Sequence, residues 1–422
     1  MTTLNKLNQS FNYINGIGLA LIAICTIFIH FNSKPAQTQL TYLPFLLPLF
    51  FLLPIKKEIY STEIKFLIIV SFIFLSSFIS YGIQGDIFTQ DFRSHWTYLI
   101  VFGVFSVLIH KKITADYLYI ILILASILVF YDIVTEFIND GSRGWNTHGK
   151  PIFFGNIALT TGLIAMILSL NKGTHWIIRT LLVLSSFAGI AGSIWSQTRG
   201  GWIYLIIFSI VFLFGYVLFS NNKKKSSLYA AVFLILLSIV ALPFSKAVEN
   251  RLSYAYSNIE NYFTGESANT SIGLRLELWR VSVEQFINNP LVGSARSGFL
   301  AIKNEMISES DITPVARPFE HAHSDFFWTL GTKGLVGVIS LYGFYLFLLR
   351  FYYINSKRNN VRLYAFSGIT LVTSYMVYGL SESFFSMKLG IGYFIIINLL
   401  LIRLIGINDR ENVEPLILGR SN

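Results

Sequence analysis

Apolar runs close to the length of a membrane-spanning helix recur along almost the whole chain, and that recurrence decides what it can fold into. A bilayer's hydrocarbon core is about 30 Å thick, so a spanning helix needs roughly 20 mostly apolar residues. Such runs fall at 14–30, 40–55, 66–83, 96–109, 118–137 and 152–170. They continue at 176–195, 202–219, 228–244, 326–349, 363–380 and 389–405. No water reaches segments of this kind, so their backbone groups must be satisfied within helices. Composition agrees, since 54% of the 422 residues are hydrophobic, 13% are charged and mean hydropathy is +0.59. That is too little charge to cover a soluble protein of this size. The sequence predicts an all-α polytopic membrane protein with about twelve transmembrane helices.

Orientation follows from where lysine and arginine collect. Every second connection is basic: Lys56 with Lys57, Lys111 with Lys112, Lys172, the run Lys223 to Lys225, and Lys357 with Arg358 and Arg362. Arg403, Arg410 and Arg420 fall on the same side. Placing that set in the cytoplasm puts both termini inside and divides the chain into three parts. Residues 1–244 carry transmembrane helices one to nine, 245–325 form a periplasmic loop, and 326–422 carry helices ten to twelve with a cytoplasmic tail. The first apolar run reads as a retained helix and not as a cleaved signal peptide. Pro44, Pro48 and Pro54 predict a second span that is kinked or partly re-entrant. The net charge of +10 is spread between spans, which speaks for topology and anionic lipid headgroups and against nucleic acid. A single cysteine, Cys25, excludes an intrachain disulfide or a cysteine metal cluster.

The loop at 245–325 is the one sizeable hydrophilic segment, and its aromatic residues predict a folded, partly helical cap. A helix is expected over 273–289, with Leu276, Trp279, Val283 and Phe286 as its apolar face and Pro290 and Gly293 ending it.

Residues suited to chemistry gather on the side opposite the basic connections. Arg199 sits in SQTRGGW, at the end of two helices with almost no loop between them, and Gly200 and Gly201 allow close approach of backbone to a ligand. An arginine there tends to face a water-filled cavity or an anion. Arg275 opens the loop helix, with Trp279 four residues on and Arg280 five residues on. The two arginines project about 140° apart on an ideal helix, so at most one faces a given site. His321 and His323 lie together in EHAHSDFFW, with Glu320 and Asp325 near enough in sequence to orient an imidazole. Arg143, with His148 and Lys150, adds positive charge to the same face. The inventory of cations with an imidazole and no D-x-D pair suits an anionic lipid-linked substrate: arginines on a diphosphate, a histidine taking a proton from an acceptor hydroxyl. There is no P-loop and no dinucleotide fingerprint, so no cofactor is expected.

These segments resemble the motifs of bacterial O-antigen ligases, members of a larger ligase/polymerase superfamily. The resemblance rests on SQTRGGW, on the RL pair in SIGLRLELW and on HAHSDFFWTLGTKGLVG, in that order along the chain. It implies a GT-C-type glycosyltransferase in the inner membrane of a Gram-negative bacterium, with its active site facing the periplasm. The donor would be an undecaprenyl-diphosphate-linked glycan and the acceptor lipid A–core oligosaccharide, joined by metal-independent inverting transfer to give lipopolysaccharide. Carried over, Arg199 and Arg275 match the arginines that hold the diphosphate and His323 matches the base, with His321 the alternative. Arg143, Arg280, His321, Gly200 and Trp279 are the expected substrate-binding residues.

Three rival readings share much of this pattern. A polymerase of O-antigen or capsule would use the same donor with a second lipid-linked glycan as acceptor. An O-linked protein oligosaccharyltransferase would use a protein hydroxyl. A lipid-linked glycan flippase or other transporter would fit the span count, but its substrate groups belong near the bilayer midplane.

Overall fold

The computed structural model describes residues 19–20, 22–24, 26–27, 61–89, 92–109, 113–139, 151–218, 223–224, 227–228, 231, 235, 245–264 and 268–418. The side chains at 136–139, 199, 211–218, 245, 247–248, 251–252, 255 and 409–418 lie outside that description. So do the expected second span and most of the first and ninth, together with the segment holding Arg143.

Among the described residues every regular element is helical. In chain order they are α1 (Ser61–Ile83), a 3-10 segment (Phe92–Leu99) running into α2 (Ile100–Leu108), α3 (Ala115–Asn139), α4 (Pro151–Ser169), α5 (Trp176–Trp195) and α6 (Arg199–Leu218). Then come α7 (Ser245–Phe263), α8 (Gly273–Asn288), α9 (Ala295–Ser308), α10 (Asp325–Ser356), α11 (Arg362–Tyr378) and α12 (Lys388–Leu418). Six of these, α1, α3, α4, α5, α10 and α12, are long and apolar enough to cross a membrane. The protein is a multi-pass helical membrane protein.

Helices α4 and α12 are almost wholly enclosed by the others. The outer helices turn rows of large apolar side chains outward: Ile68, Phe72 and Leu75 on α1, Ile120, Ile127 and Phe130 on α3, Ile203, Ile206 and Ile210 on α6. Rows of that kind suit hydrocarbon and would be a liability in water. Lipid gives helices little hydrophobic reason to associate, so close packing and hydrogen bonds must hold them. Both are present. A Cβ added at Gly189 of α5 would lie 2.4 Å from the Ala158 carbonyl oxygen and 2.8 Å from Gly162 Cα on α4. Thr160 on α4 bonds Ser374 and Tyr378 of α11 at 3.2 and 3.1 Å, and Thr161 bonds Tyr393 of α12 at 2.8 Å.

Helix α11 carries much of that polar material. It is 17 residues long, ends at Tyr378 and packs against α4, α6, α10 and α12.

Helix α10 is broken at Gly334, whose φ of 60° and ψ of −157° belong to a region only glycine adopts freely. The freed backbone groups are taken up by the chain between α8 and α9. Leu335 N–H donates to Pro290 O at 2.8 Å, Val336 N–H to Leu291 O at 3.1 Å, and Ser294 N–H to Gly331 O at 3.3 Å.

Helices α8 and α9 share a small core of their own, with Leu274, Leu278, Val281, Phe299 and Met306 packed against Trp328 of α10. The expected helix at 273–289 is therefore observed, ending one residue earlier at Asn288. Its buried face differs from the expected one. Leu274, Leu278, Val281 and Gln285 point inward and Val283 is exposed. The reason is that polar residues on the inner face find hydrogen-bond partners there. Glu277 accepts from the Thr313 N–H at 3.0 Å and hydroxyl at 2.7 Å, while Gln285 donates to Ser294 Oγ and Ala295 O at 2.9 and 2.7 Å.

Candidate active site

Two connections meet at one end of the bundle: the segment entering α10 and the turn from α11 to α12. Asp325 and Ser324 clasp them together. The Asp325 N–H and the Ser324 hydroxyl both donate to the Gly379 carbonyl, at 2.7 and 3.1 Å. The Asp325 carboxylate accepts from the Phe385 N–H at 2.9 Å, and Tyr98 donates to the Phe385 carbonyl at 3.0 Å. Phe384 and Phe385 are buried beneath the turn, stacked against Phe153 at 4.2 Å and set edge-on to Phe394 at 5.1 Å. Glu382 sits between these anchors, 5% exposed.

The clasp brings Glu382 against His323, whose Nδ1 lies 3.3 Å from Glu382 Oε2. The second carboxylate oxygen accepts from the Ser383 N–H at 3.0 Å. Burial pushes the Glu382 carboxyl up, but His323 outweighs it by hydrogen bond and charge, helped by His321 and Ser383, and holds it at about 2. His323 has a φ of 48°, an uncommon backbone state for a residue with a side chain. The two imidazoles lie with ring centroids 3.9 Å apart, and the His323 N–H donates to His321 Nδ1 at 3.2 Å. Behind them Lys303 of α9 fixes the incoming chain by donating to the Arg317 and Phe319 carbonyls at 2.8 and 2.5 Å.

Arg275 of α8 is near enough to interact electrostatically with the same carboxylate. Burial pushes its guanidinium down and Glu382 pulls it back up, and an arginine keeps its charge in such a setting. Its Nη1 donates to Ser271 O at 3.1 Å, while its Nε is buried without a hydrogen-bond partner. That leaves donor capacity for an anion. His321, His323 and Glu382 also place one potential ligand atom each within 4.8 Å of one another, the set that could hold a metal ion here.

Trp279 lies beside this group, its Nε1 donating to Ala322 O at 3.0 Å and its ring stacked on Phe327 at 4.6 Å. It lines a mostly apolar cavity of about 520 Å³ with Ser324, Phe326, Phe327, Tyr342 and Leu380. Gly200 comes to the same turn from α6: a Cβ there would lie 3.3 Å from Ser381 Oγ. Arg199 is the first residue of α6, separated from the end of α5 by only three residues, which is the near-absent loop the sequence predicts. Arg280 points elsewhere, exposed and donating to Asp311 O at 2.9 Å.

Glu382 is the residue the sequence reading missed. Glu320, a nearer candidate for orienting an imidazole, is exposed and pairs with Arg296, and the Asp325 carboxylate is engaged by Phe385. The available signal was a lone acid just past an apolar run, in GLSESFFS.

The family model described as "O-antigen ligase" matches residues 181–342, which include Arg199, Arg275, His321 and His323. Over that region the chain is similar to the O-antigen ligase family. It is 26% identical over 181 residues to an O-antigen ligase of Escherichia coli strain K12, covering 42% of each chain. It is also 25% identical over 247 residues to an uncharacterized protein of Haemophilus influenzae, covering 57% of this chain and 61% of that one. The chain thus spans between two fifths and three fifths of the length of these curated relatives.

Proposed function

We propose that this chain is an O-antigen ligase that transfers glycan from undecaprenyl diphosphate to lipid A–core by metal-independent inverting displacement. One observation carries the reading: Arg275, His321, His323 and Glu382, from separate parts of the chain, converge at one end of a membrane-spanning bundle. In this reading the protein is GT-C-like with about twelve spans, both termini are cytoplasmic, and the site opens to the periplasm of a Gram-negative inner membrane.

Glu382 accepts the Nδ1 proton of His323 and so leaves Nε2 as the basic nitrogen. Nε2 takes the proton of the acceptor hydroxyl as its oxygen attacks the anomeric carbon of the donor. The bond from that carbon to the diphosphate oxygen breaks on the opposite face, inverting the centre. Charge grows on the departing diphosphate, and the guanidinium groups of Arg275 and Arg199 stabilise it there. The apolar cavity beside Trp279 takes the first prenyl units of the carrier, keeping the diphosphate at the level of Arg275.

Deletion of the gene followed by gel analysis of lipopolysaccharide and lipid-linked glycan tests the assignment. A ligase leaves long glycans on the carrier and bare core. Core bearing a single repeat would instead make the protein a polymerase, and a normal profile with unglycosylated secreted protein would make it a protein oligosaccharyltransferase. Within a working assay, His323→Ala is expected to cost about 10²–10⁴-fold in transfer, the usual contribution of a general base. Retention of near-normal transfer removes His323 from that role.

A further inference from the structure

The His321, His323 and Glu382 cluster has the make-up of a transition-metal site, and we infer that it binds one Zn²⁺ ion, which shuts the enzyme down. The inhibitory half of this inference rests on the reading of His323 as base; the binding half does not.

The donor set is two imidazoles and a carboxylate, a combination zinc accepts with a fourth position left open. Their spacing also fits. With zinc–ligand bonds of about 2.0–2.2 Å, the edges of a tetrahedral site are roughly 3.3–3.6 Å long. His323 Nδ1 and Glu382 Oε2 are 3.3 Å apart. That separation is long for a charge-assisted hydrogen bond, which prefers about 2.7–2.9 Å, and it equals one edge of such a site. All three ligand atoms already lie within 4.8 Å of one another, so only small side-chain rotations separate the present arrangement from a coordinated one. The left-handed backbone at His323 and the 3.9 Å ring spacing hold both imidazoles on one side of the chain. Glu382, fixed by the Ser383 N–H, is a charged ligand in place before an ion arrives.

Arg275 opposes the ion, because its positive charge acts on the same carboxylate. A resident, tightly held metal is therefore disfavoured, and the site suits a reversibly bound one. An ion there occupies the His323 nitrogen that faces Glu382 and takes the carboxylate away from it. The imidazole can then neither be oriented by Glu382 nor accept a proton in the geometry the transfer needs. Mg²⁺, which prefers oxygen ligands and octahedral geometry, is a poor match.

The test uses the full chain purified in detergent and stripped with chelator. Zn²⁺ is titrated directly, and Co²⁺ serves as a visible probe of coordination. One equivalent per chain is expected, with a tetrahedral Co²⁺ spectrum that Zn²⁺ displaces and Mg²⁺ does not. His321→Ala, His323→Ala and Glu382→Gln should each weaken binding by at least the tenfold or so that loss of even a supporting partner costs. A thermal melt of each variant confirms that it is folded. Zn²⁺ should also abolish glycan transfer, and chelator should restore it. Absence of a stoichiometric site in the unaltered chain, or binding unchanged in all three variants, overturns the inference. Binding at one equivalent with transfer unaffected leaves the metal site standing and removes His323 as base. Transfer that depends on His323 in a protein that binds no Zn²⁺ does the reverse.

Discussion

Glu382 determines what the neighbouring imidazoles can do. Held at about 2 by His323, His321 and the Ser383 N–H against the cost of its own burial, it remains ionised until the pH falls near that value. Any inflection in transfer rate above about pH 5 must therefore come from another group. Glu382→Gln keeps the shape but removes the charge, and transfer should fall by at least tenfold or so, since an amide no longer selects the imidazole tautomer. Glu382→Asp should recover part of that loss, which a purely structural role would not allow; the readout is single-turnover transfer across a pH series. Arg275→Lys is expected to behave almost as badly as Arg275→Ala. A point charge on a flexible stem cannot reproduce the planar fork with its buried, unpartnered Nε. At this scale the sequence was readable where chemistry is local. Arg275 and the two histidines stand in short stretches with their own character. The partner that completes them lies 59 residues from His323 and meets it only because two helix ends are clasped together.

Among the elements, the bounds of α8 could be read from Gly273 at one end and Pro290 and Gly293 beyond the other. Its inner face could not. Periodicity assumes apolar residues point inward, whereas Glu277 and Gln285 are buried because Thr313, Ser294 and Ala295 supply their hydrogen bonds from elsewhere in the fold. The break in α10 was hidden for a similar reason, since GTKGLVG looks like uninterrupted span until the 290–294 segment is seen to fill the gap. Gly334→Ala tests that junction. The added Cβ would sit 2.6 Å from the Leu291 carbonyl group in a backbone state alanine resists, and a loss of about 1–3 kcal/mol is expected, read as a lowered melting temperature in detergent. Lys303→Met should leave the melt nearly unchanged in shape. It should nevertheless reduce transfer, because the carbonyls of Arg317 and Phe319 lose the cation that places the histidine segment.

Across the whole molecule six of the twelve expected spans were legible, because hydropathy and length alone set which segments can cross a bilayer. How they associate was not, as it depends on small contacts such as Gly162 against Gly189 and on polar pairs that no run of residues announces. Arg403 of α12 and Glu63 of α1 form one such pair, both 1% exposed and 3.5 Å apart, at the end of the bundle away from Asp325. Replacing one partner unbalances a buried charge pair, so Arg403→Met is expected to lower stability, and the double change with Glu63→Met should recover part of the loss. A double-mutant cycle on detergent-denaturation midpoints measures the difference. The clasp at the other end has a different consequence. Hydrogen bonds from Ser324 and Asp325 to Gly379 and Phe385 fix the distance between the α10 entry and the α11–α12 turn, so folding itself sets the geometry of the candidate site. If the site takes a lipid-linked donor as proposed, that donor would meet a receptacle already assembled and would spend little of its affinity on building it.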